Sequence, residues 1–237
     1  AAWTIGMIYL GFVLGAMGTD YYPRLTAAIE DRSTAVRLVN EQTEVALLLC
    51  APLLLAMLGL APWVIRLLYS DAFGPAVEIL RWQLLGDMLK VMSWPLGFVL
   101  LARGAGKTFI FTESTGIAAF VLGIALLMPQ VGVMATGAAF LAMYAVYLPL
   151  VWLMARRAIG FRWSRAVKAQ ALAVMLAAVS VELAARWSDP LGAGLGWGGA
   201  IPLALWALMR LAAQSSASGR LGKIARAGER MTKWMKR

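Results

Sequence analysis

The chain has 237 residues, 61% of them hydrophobic and 14% charged, with a mean hydropathy of +0.74. Soluble domains hold about 45–50% apolar and about 25% charged residues, so this composition excludes a soluble domain and indicates a polytopic membrane protein. There is no histidine and one cysteine, Cys50, in the apolar run from Ala46 to Leu55, which sets aside a His-based site, a structural zinc and a disulfide.

In chain order, seven apolar segments reach the roughly 20 residues that a membrane helix needs: Trp3 to Tyr22, Glu44 to Leu68, Ile79 to Ala102, Phe109 to Met128, Val131 to Ala155, Ala169 to Ala185, and Leu195 to Leu211. Continuous runs of this length read as helices, because lipid leaves backbone polar groups no other partner. Glu182 shortens the sixth, and glycine-rich sequence opens the seventh. Cys50 is expected to be a small lipid- or core-facing residue. The chain starts at Ala1 inside an apolar stretch, which reads as the C-terminal part of a longer protein. Prolines punctuate the spans at Pro52, Pro62, Pro95, Pro149 and Pro202, and a hinge is expected at Pro95.

The net charge of +10 would suggest nucleic acid in a soluble protein, but here its placement matters more. Alternate connections, Arg24 to Glu41, Arg103 to Lys107, Arg156 to Lys168 and the tail from Arg210, hold all 22 basic residues except Arg66, Arg81, Lys90 and Arg186. The opposite connections, around Asp71, Pro129 to Gly132 and Arg186 to Gly194, are short. Positive residues gather on the cytoplasmic side, so the N-terminus is expected outside and the C-terminus in the cytoplasm. The tail reads as a flexible linker from Gln214 to Gly219, then a basic amphipathic segment from Arg220 to Arg237 suited to anionic inner-leaflet lipids. Three units follow: residues 1–157 with five helices, 158–213 with two more, and the tail 214–237.

The third span carries the chemistry. Gln83, Asp87, Lys90 and Trp94 recur at helical spacing and share one face, with Arg81 nearby. Each charge near the bilayer centre costs about 2.5–3.5 kcal/mol on insertion scales, so such residues face a bundle interior or a water-filled path. Asp87 and Lys90 can neutralise each other at i, i+3, and Glu78 can pair with Arg81. Glu113, one turn into the fourth span, needs a partner, and Lys90 or Arg81 is the expected one. Asn40, Glu41, Gln42 and Glu44 are expected to open the second span as helix-terminal groups, with Arg37 pairing to Glu41. The run Gly104 to Thr108 has the end of a P-loop without its first glycine, since Leu101 stands there, and reads as a cytoplasmic turn.

Tyr21 to Leu25 after an apolar span, Val39 to Val45, Leu80 to Val91, Ser93 to Leu96 and Phe111 to Glu113 together resemble the Wzx-type flippases. These belong to the polysaccharide branch of the multidrug/oligosaccharidyl-lipid/polysaccharide exporter superfamily. The resemblance covers about Trp3 to Arg157. It implies an all-α fold of two facing six-helix bundles, of which this chain is the second without its first helix, and the last two spans resemble those of fourteen-helix relatives. The implied function is flipping of undecaprenyl-pyrophosphate oligosaccharides, such as O-antigen units of lipopolysaccharide, across the bacterial inner membrane by alternating access.

The roles expected under that resemblance are specific. Lys90 and Arg81 attract the pyrophosphate, Gln83 and Trp94 face the sugar, and Arg24 meets the headgroup at the cytoplasmic mouth. Asp87 or Glu113 carries a coupling proton or sodium ion. No enzymatic activity, cofactor, bound metal or nucleic acid is expected; other polysaccharide-assembly proteins are possible partners. The alternatives are a multidrug antiporter of the same superfamily, disfavoured by Arg81 and Lys90, and a membrane glycosyltransferase, disfavoured by the short outside loops.

Overall fold

The computed structural model describes residues 2–69 and 73–218, with side chains described at Thr4 and in the ranges 10–69 and 73–210. Seven α-helices follow one another among the described residues: α1 (Ala2–Ala28), α2 (Arg32–Leu68), α3 (Pro75–Ala102), α4 (Gly106–Val131), α5 (Ala135–Ile159), α6 (Arg165–Trp187) and α7 (Asp189–Ser218). One 3-10 turn, Gly132–Met134, joins α4 to α5. Five helical stretches among the described residues are long and apolar enough to cross a membrane: α2, α3, α6, α7 to Arg210, and the stretch Gly106–Ile159 that holds α4 and α5. The chain is an all-α, multi-pass membrane protein. Asp71 and the basic segment from Arg220 to Arg237 lie outside the described residues.

α3 is central. It packs on α5, α2 and α1, while α2 carries α7 and α6 on its far side and α4 lies on α5. One core cluster joins Leu47, Leu54 and Leu58 of α2 to Leu80, Leu84 and Met88 of α3 and Val174 of α6. A second joins Tyr21 and Leu25 of α1 to Leu96 and Leu100 of α3 and Val151 and Ala155 of α5. Cys50 is buried in the first cluster.

The helices alternate in direction, so the α1–α2, α3–α4 and α5–α6 connections gather at one end. There Arg103 pairs with Glu30 at 3.1 Å. Asn40 accepts from the Ser164 amide at 2.7 Å and donates to the Arg162 carbonyl at 3.1 Å. The α2–α3, α4–α5 and α6–α7 connections define the other end.

Two sequence expectations are corrected here. The second helix starts at Arg32, well before Glu44, because Asp31 caps it and Ala35, Leu38 and Val39 bury one face of its first turns. Its 37 residues reach about 55 Å, beyond the ~30 Å of hydrocarbon. Asn40, Glu41, Gln42 and Glu44 therefore lie in the helix body and do not open it. Glu41 does meet Arg37, at 2.9 Å, while Glu44 meets Arg210 of α7. The second correction concerns the linker: α7 continues to Ser218, since extending a formed helix through Ala and Gln is easier than starting one.

Small residues set the close packing. A Cβ on Gly59 of α2 would lie 2.5 Å from the Gly192 carbonyl oxygen of α7, and one on Gly196 would lie 3.0 Å from the Gly59 Cα. The glycines that open the seventh span are thus its seam against α2, as small residues are in membrane helix pairs generally. Pro52, Pro62, Pro95, Pro149 and Pro202 all lie within continuous helices.

Candidate functional site

A cavity of about 380 Å³ lies between the later half of α3, the first half of α4 and the middle of α5. Its volume falls within the range of about 300–1,000 Å³ usual for small-ligand sites. α3 gives it Lys90, Trp94 and Phe98, α4 gives Phe109 and Glu113, and α5 gives Tyr144 and Tyr147. Glycine leaves the room. A Cβ on Gly97 would stand 3.5 Å from the Tyr147 hydroxyl, and one on Gly116 would stand 3.3 Å from its ring.

Toward the α6–α7 end, α3 and α5 meet directly. A Cβ on Gly86 would lie 2.7 Å from the Phe140 ring, and one on Gly137 would lie 2.8 Å from the Ile79 carbonyl oxygen. The α3–α5 pair is therefore open beside Lys90 and Glu113 and shut beside Gly86 and Gly137.

The charged groups are held individually. Lys90 lies 3.9 Å from Asp87, which is 2% exposed, so the two form the i, i+3 pair that their spacing allows. Ser93 donates to the Lys90 carbonyl at 3.0 Å. The Tyr147 hydroxyl donates to Glu113 Oε1. This corrects the expected partner of Glu113: no ion pair joins it to Lys90 or Arg81 among the described residues, although Lys90 shares its cavity. Tyr147 is on α5, and the sequence holds no local spacing that would have linked residues 34 positions apart.

Aromatic rings form one wall. The Trp94 and Phe98 ring centroids are 4.9 Å apart, and Tyr21 of α1 lies 5.9 Å from Trp94 and 5.7 Å from Phe98. The Tyr21 hydroxyl donates to the Pro95 carbonyl at 3.1 Å. Flat apolar faces beside hydroxyl, ammonium and carboxylate groups suit a ligand with both ring and charged parts.

Lys90, Trp94 and Glu113 thus come together, with Asp87 one turn away from Lys90. Arg81 and Gln83 do not line this cavity. Arg81 is 4% exposed at the other end of α3, bonded to Glu78 at 3.3 Å and to Asp189 of α7 at 3.0 Å. Gln83 is 2% exposed and its amide oxygen and nitrogen have no hydrogen-bond partner among the described residues. Arg24 is exposed near the end of α1, paired with Asp20 at 2.9 Å. Tyr144, Tyr147, Phe98 and Phe109 were not singled out by the sequence as site residues; only their placement around one cavity marks them.

No family model matches the chain, and no solved structure does. The chain is similar to the Lipid III flippase of Escherichia coli (strain K12) and to that of Shigella flexneri, 27% identical to each over 157 residues. The similarity takes in 65% of this chain and 38% of each relative, so the chain spans well under half the length of the relatives it matches. A multi-pass membrane chain with a charged, aromatic cavity is thus similar, over part of its length, to a flippase, in keeping with the resemblance in its residues.

Proposed function

We propose that this chain is part of a transporter that flips undecaprenyl-pyrophosphate-linked oligosaccharides, such as O-antigen units, across the bacterial inner membrane by alternating access. It acts as a carrier and not as an enzyme. The observation that carries the reading is the α3–α4–α5 cavity, where Lys90, Glu113, Trp94 and Tyr147 converge inside a membrane protein similar to Lipid III flippases.

The chemistry follows from what hydrocarbon rejects. A pyrophosphate and hydrated sugars cannot cross it unaided, and a fixed ammonium in a low-dielectric cavity stabilises the anion. Lys90 supplies that charge, Trp94 and Phe98 offer ring faces to a sugar, and the Glu113 carboxylate accepts from sugar hydroxyls. Asp87 or Glu113 carries the proton or sodium ion that couples transport to a gradient, since a carboxylate beside Lys90 sets the net charge that an incoming anion meets. Arg24 is the first contact for the headgroup at the mouth, while Arg81 and Gln83 act farther along α3. The α1–α2, α3–α4 and α5–α6 connections face the cytoplasm, as their basic residues favour, and the basic C-terminal tail lies on anionic inner-leaflet lipids.

The test is leaflet-resolved flipping of a fluorescent lipid-pyrophosphate oligosaccharide in liposomes holding the full-length protein, compared with its Lys90→Ala variant. Fast movement by the parent and slow movement by a folded variant are expected. Equal rates would remove Lys90 from the path.

A further inference from the structure

At the shut end of the α3–α5 pair, the first turns of α3 carry a charged cluster drawn from three helices. Arg81 donates to Glu78 on its own helix and to Asp189, the first residue of α7. Arg186, in the last turn of α6, donates to Glu182 at 2.7 Å, lies 3.9 Å from Glu78 and sits over the Trp82 ring at 5.5 Å. Trp82 belongs to the same turn of α3 whose backbone at Ile79 meets Gly137 of α5. A cavity of about 540 Å³, lined by Pro62, Ile65, Glu78, Arg81 and Asp189 among others, lies beneath the cluster between the ends of α2 and α3.

The two partners in this contact are held differently. α7 is fixed to α2 through Gly59, Gly192 and Gly196, where backbone meets backbone, so Asp189 is an anchored point. The start of α3 meets that anchor through charged side chains beside a polar cavity. An apolar seam loses its packing when it parts, whereas an arginine beside a polar space can exchange a carboxylate for water or for its neighbour. Arg81 retains such a choice, since Glu78 stays beside it on the same helix and its Nε is unbonded.

We infer that the α6–α7 turn is a latch: through Asp189 and Arg186 it holds the first turns of α3 against α5 and keeps the α3–α5 cavity shut at this end. Opening at this end takes Arg81 away from Asp189 while Glu78 remains with it. The inference rests on the proposed transport cycle and gives α6 and α7, which do not line that cavity, a part in it.

Side-specific labelling tests it without a substrate. Ser93 lines the cavity, so Ser93→Cys is placed in the full-length protein with Cys50→Ala and every other cysteine replaced, in membrane vesicles of both orientations, and a membrane-impermeant maleimide is added outside. With the latch intact, labelling from the α6–α7 side is slow. Asp189→Asn raises that rate by about threefold or more, as loss of one coupled pair allows, and Asp189→Glu does not. Arg186→Gln, at a more exposed position, gives a smaller rise and decides the matter if Asp189→Asn fails to fold. Unchanged labelling in the folded variants, or labelling of the parent that is already equal from both sides, overturns the latch. Failure to flip a lipid-linked oligosaccharide alongside normal latch behaviour would count against the transport reading alone.

Discussion

The Tyr147 hydroxyl of α5 donates to the Glu113 carboxylate of α4, and both side chains line the cavity that holds Lys90. The bond fixes where a carboxylate stands in a membrane protein whose neighbouring surfaces are largely aromatic. Its strength sets how far the site depends on Tyr147. A hydrogen bond to a charged group contributes about 1.5–3 kcal/mol, which corresponds to roughly tenfold or more in an equilibrium. Tyr147→Phe keeps the ring and removes the donor, so flipping should slow by about tenfold with folding retained. Adding Glu113→Gln to Tyr147→Phe should cost less than the two single effects combined, because both act on one bond. Independent, additive effects in liposome flipping would show that the bond does not organise the site.

Lys90 and Asp87 form the second linked pair. Removing one partner of a buried ion pair costs about 3–5 kcal/mol, and Lys90, with 24% of its side chain exposed, belongs at or below the lower end of that range. Lys90→Met should therefore lower thermal stability in detergent, and Asp87→Asn with Lys90→Met should recover much of it. Flipping should stay impaired in the double variant, since the cation that attracts the pyrophosphate is absent. Recovery of flipping together with stability would return the pair to a structural role.

Seven helices were legible because each apolar run is long and lipid accepts only closed backbone hydrogen bonding. The early start of α2 was not, because its first turns are polar outside and apolar only at Ala35, Val36, Leu38 and Val39, a short stripe that hydropathy averages away. The Asp87–Lys90 and Arg81–Glu78 pairs were readable since helical spacing alone brings them together. Tyr147–Glu113 and Arg81–Asp189 were not, because each depends on which helices pack as neighbours. The glycines near Leu195 read only as a glycine-rich opening to a span; their use appears only once Gly59 is opposite them.

That glycine seam makes a stability prediction. A Cβ on Gly192 would lie 2.5 Å from Ala185 Cβ and one on Gly59 would lie 2.5 Å from backbone, so the helices must part to admit it. Overpacking costs about 1–3 kcal/mol, and Gly59→Ala and Gly192→Ala should each lower the temperature at which the purified protein loses its monodisperse form. Gly194→Ala, with nothing within 4 Å of the added carbon, should leave it unchanged or raise it. Equal behaviour of Gly59→Ala and Gly194→Ala would contradict the α2–α7 packing.

Asn40 joins α2 to the α5–α6 connection in two directions, accepting from Ser164 N and donating to Arg162 O, while Ser164 Oγ caps α6 at the Val167 amide. Asn40→Ala loses both links at roughly 0.5–1.5 kcal/mol each. Asn40→Asp keeps an acceptor for Ser164 N and should cost less. Hydrogen exchange at the amides of Ser164 and Val167 reads this directly: both should exchange faster in Asn40→Ala, with Asn40→Asp between it and the parent. Unchanged protection in Asn40→Ala would mean that the connection is held by other contacts.

Asp31, in the connection before α2, carries a pH dependence whose sign is fixed by its surroundings. The Thr34 hydroxyl at 2.6 Å, the Ser33 hydroxyl at 2.8 Å and their backbone amides donate to its carboxylate and lower its pKa to about 2. A carboxyl lowered in the folded state from its ordinary value of 3.8 stabilises the cap fully above that value and loses the contribution as pH falls through about 2. Hydrogen exchange of the Ser33 and Thr34 amides, corrected for intrinsic rates, should show protection that is constant above pH 5 and declines across this acid window. Asp31→Asn keeps an acceptor oxygen but cannot ionise, so its protection should be lower at neutral pH and flat through the same window. A decline of equal size in Asp31→Asn would place the acid sensitivity elsewhere in the chain.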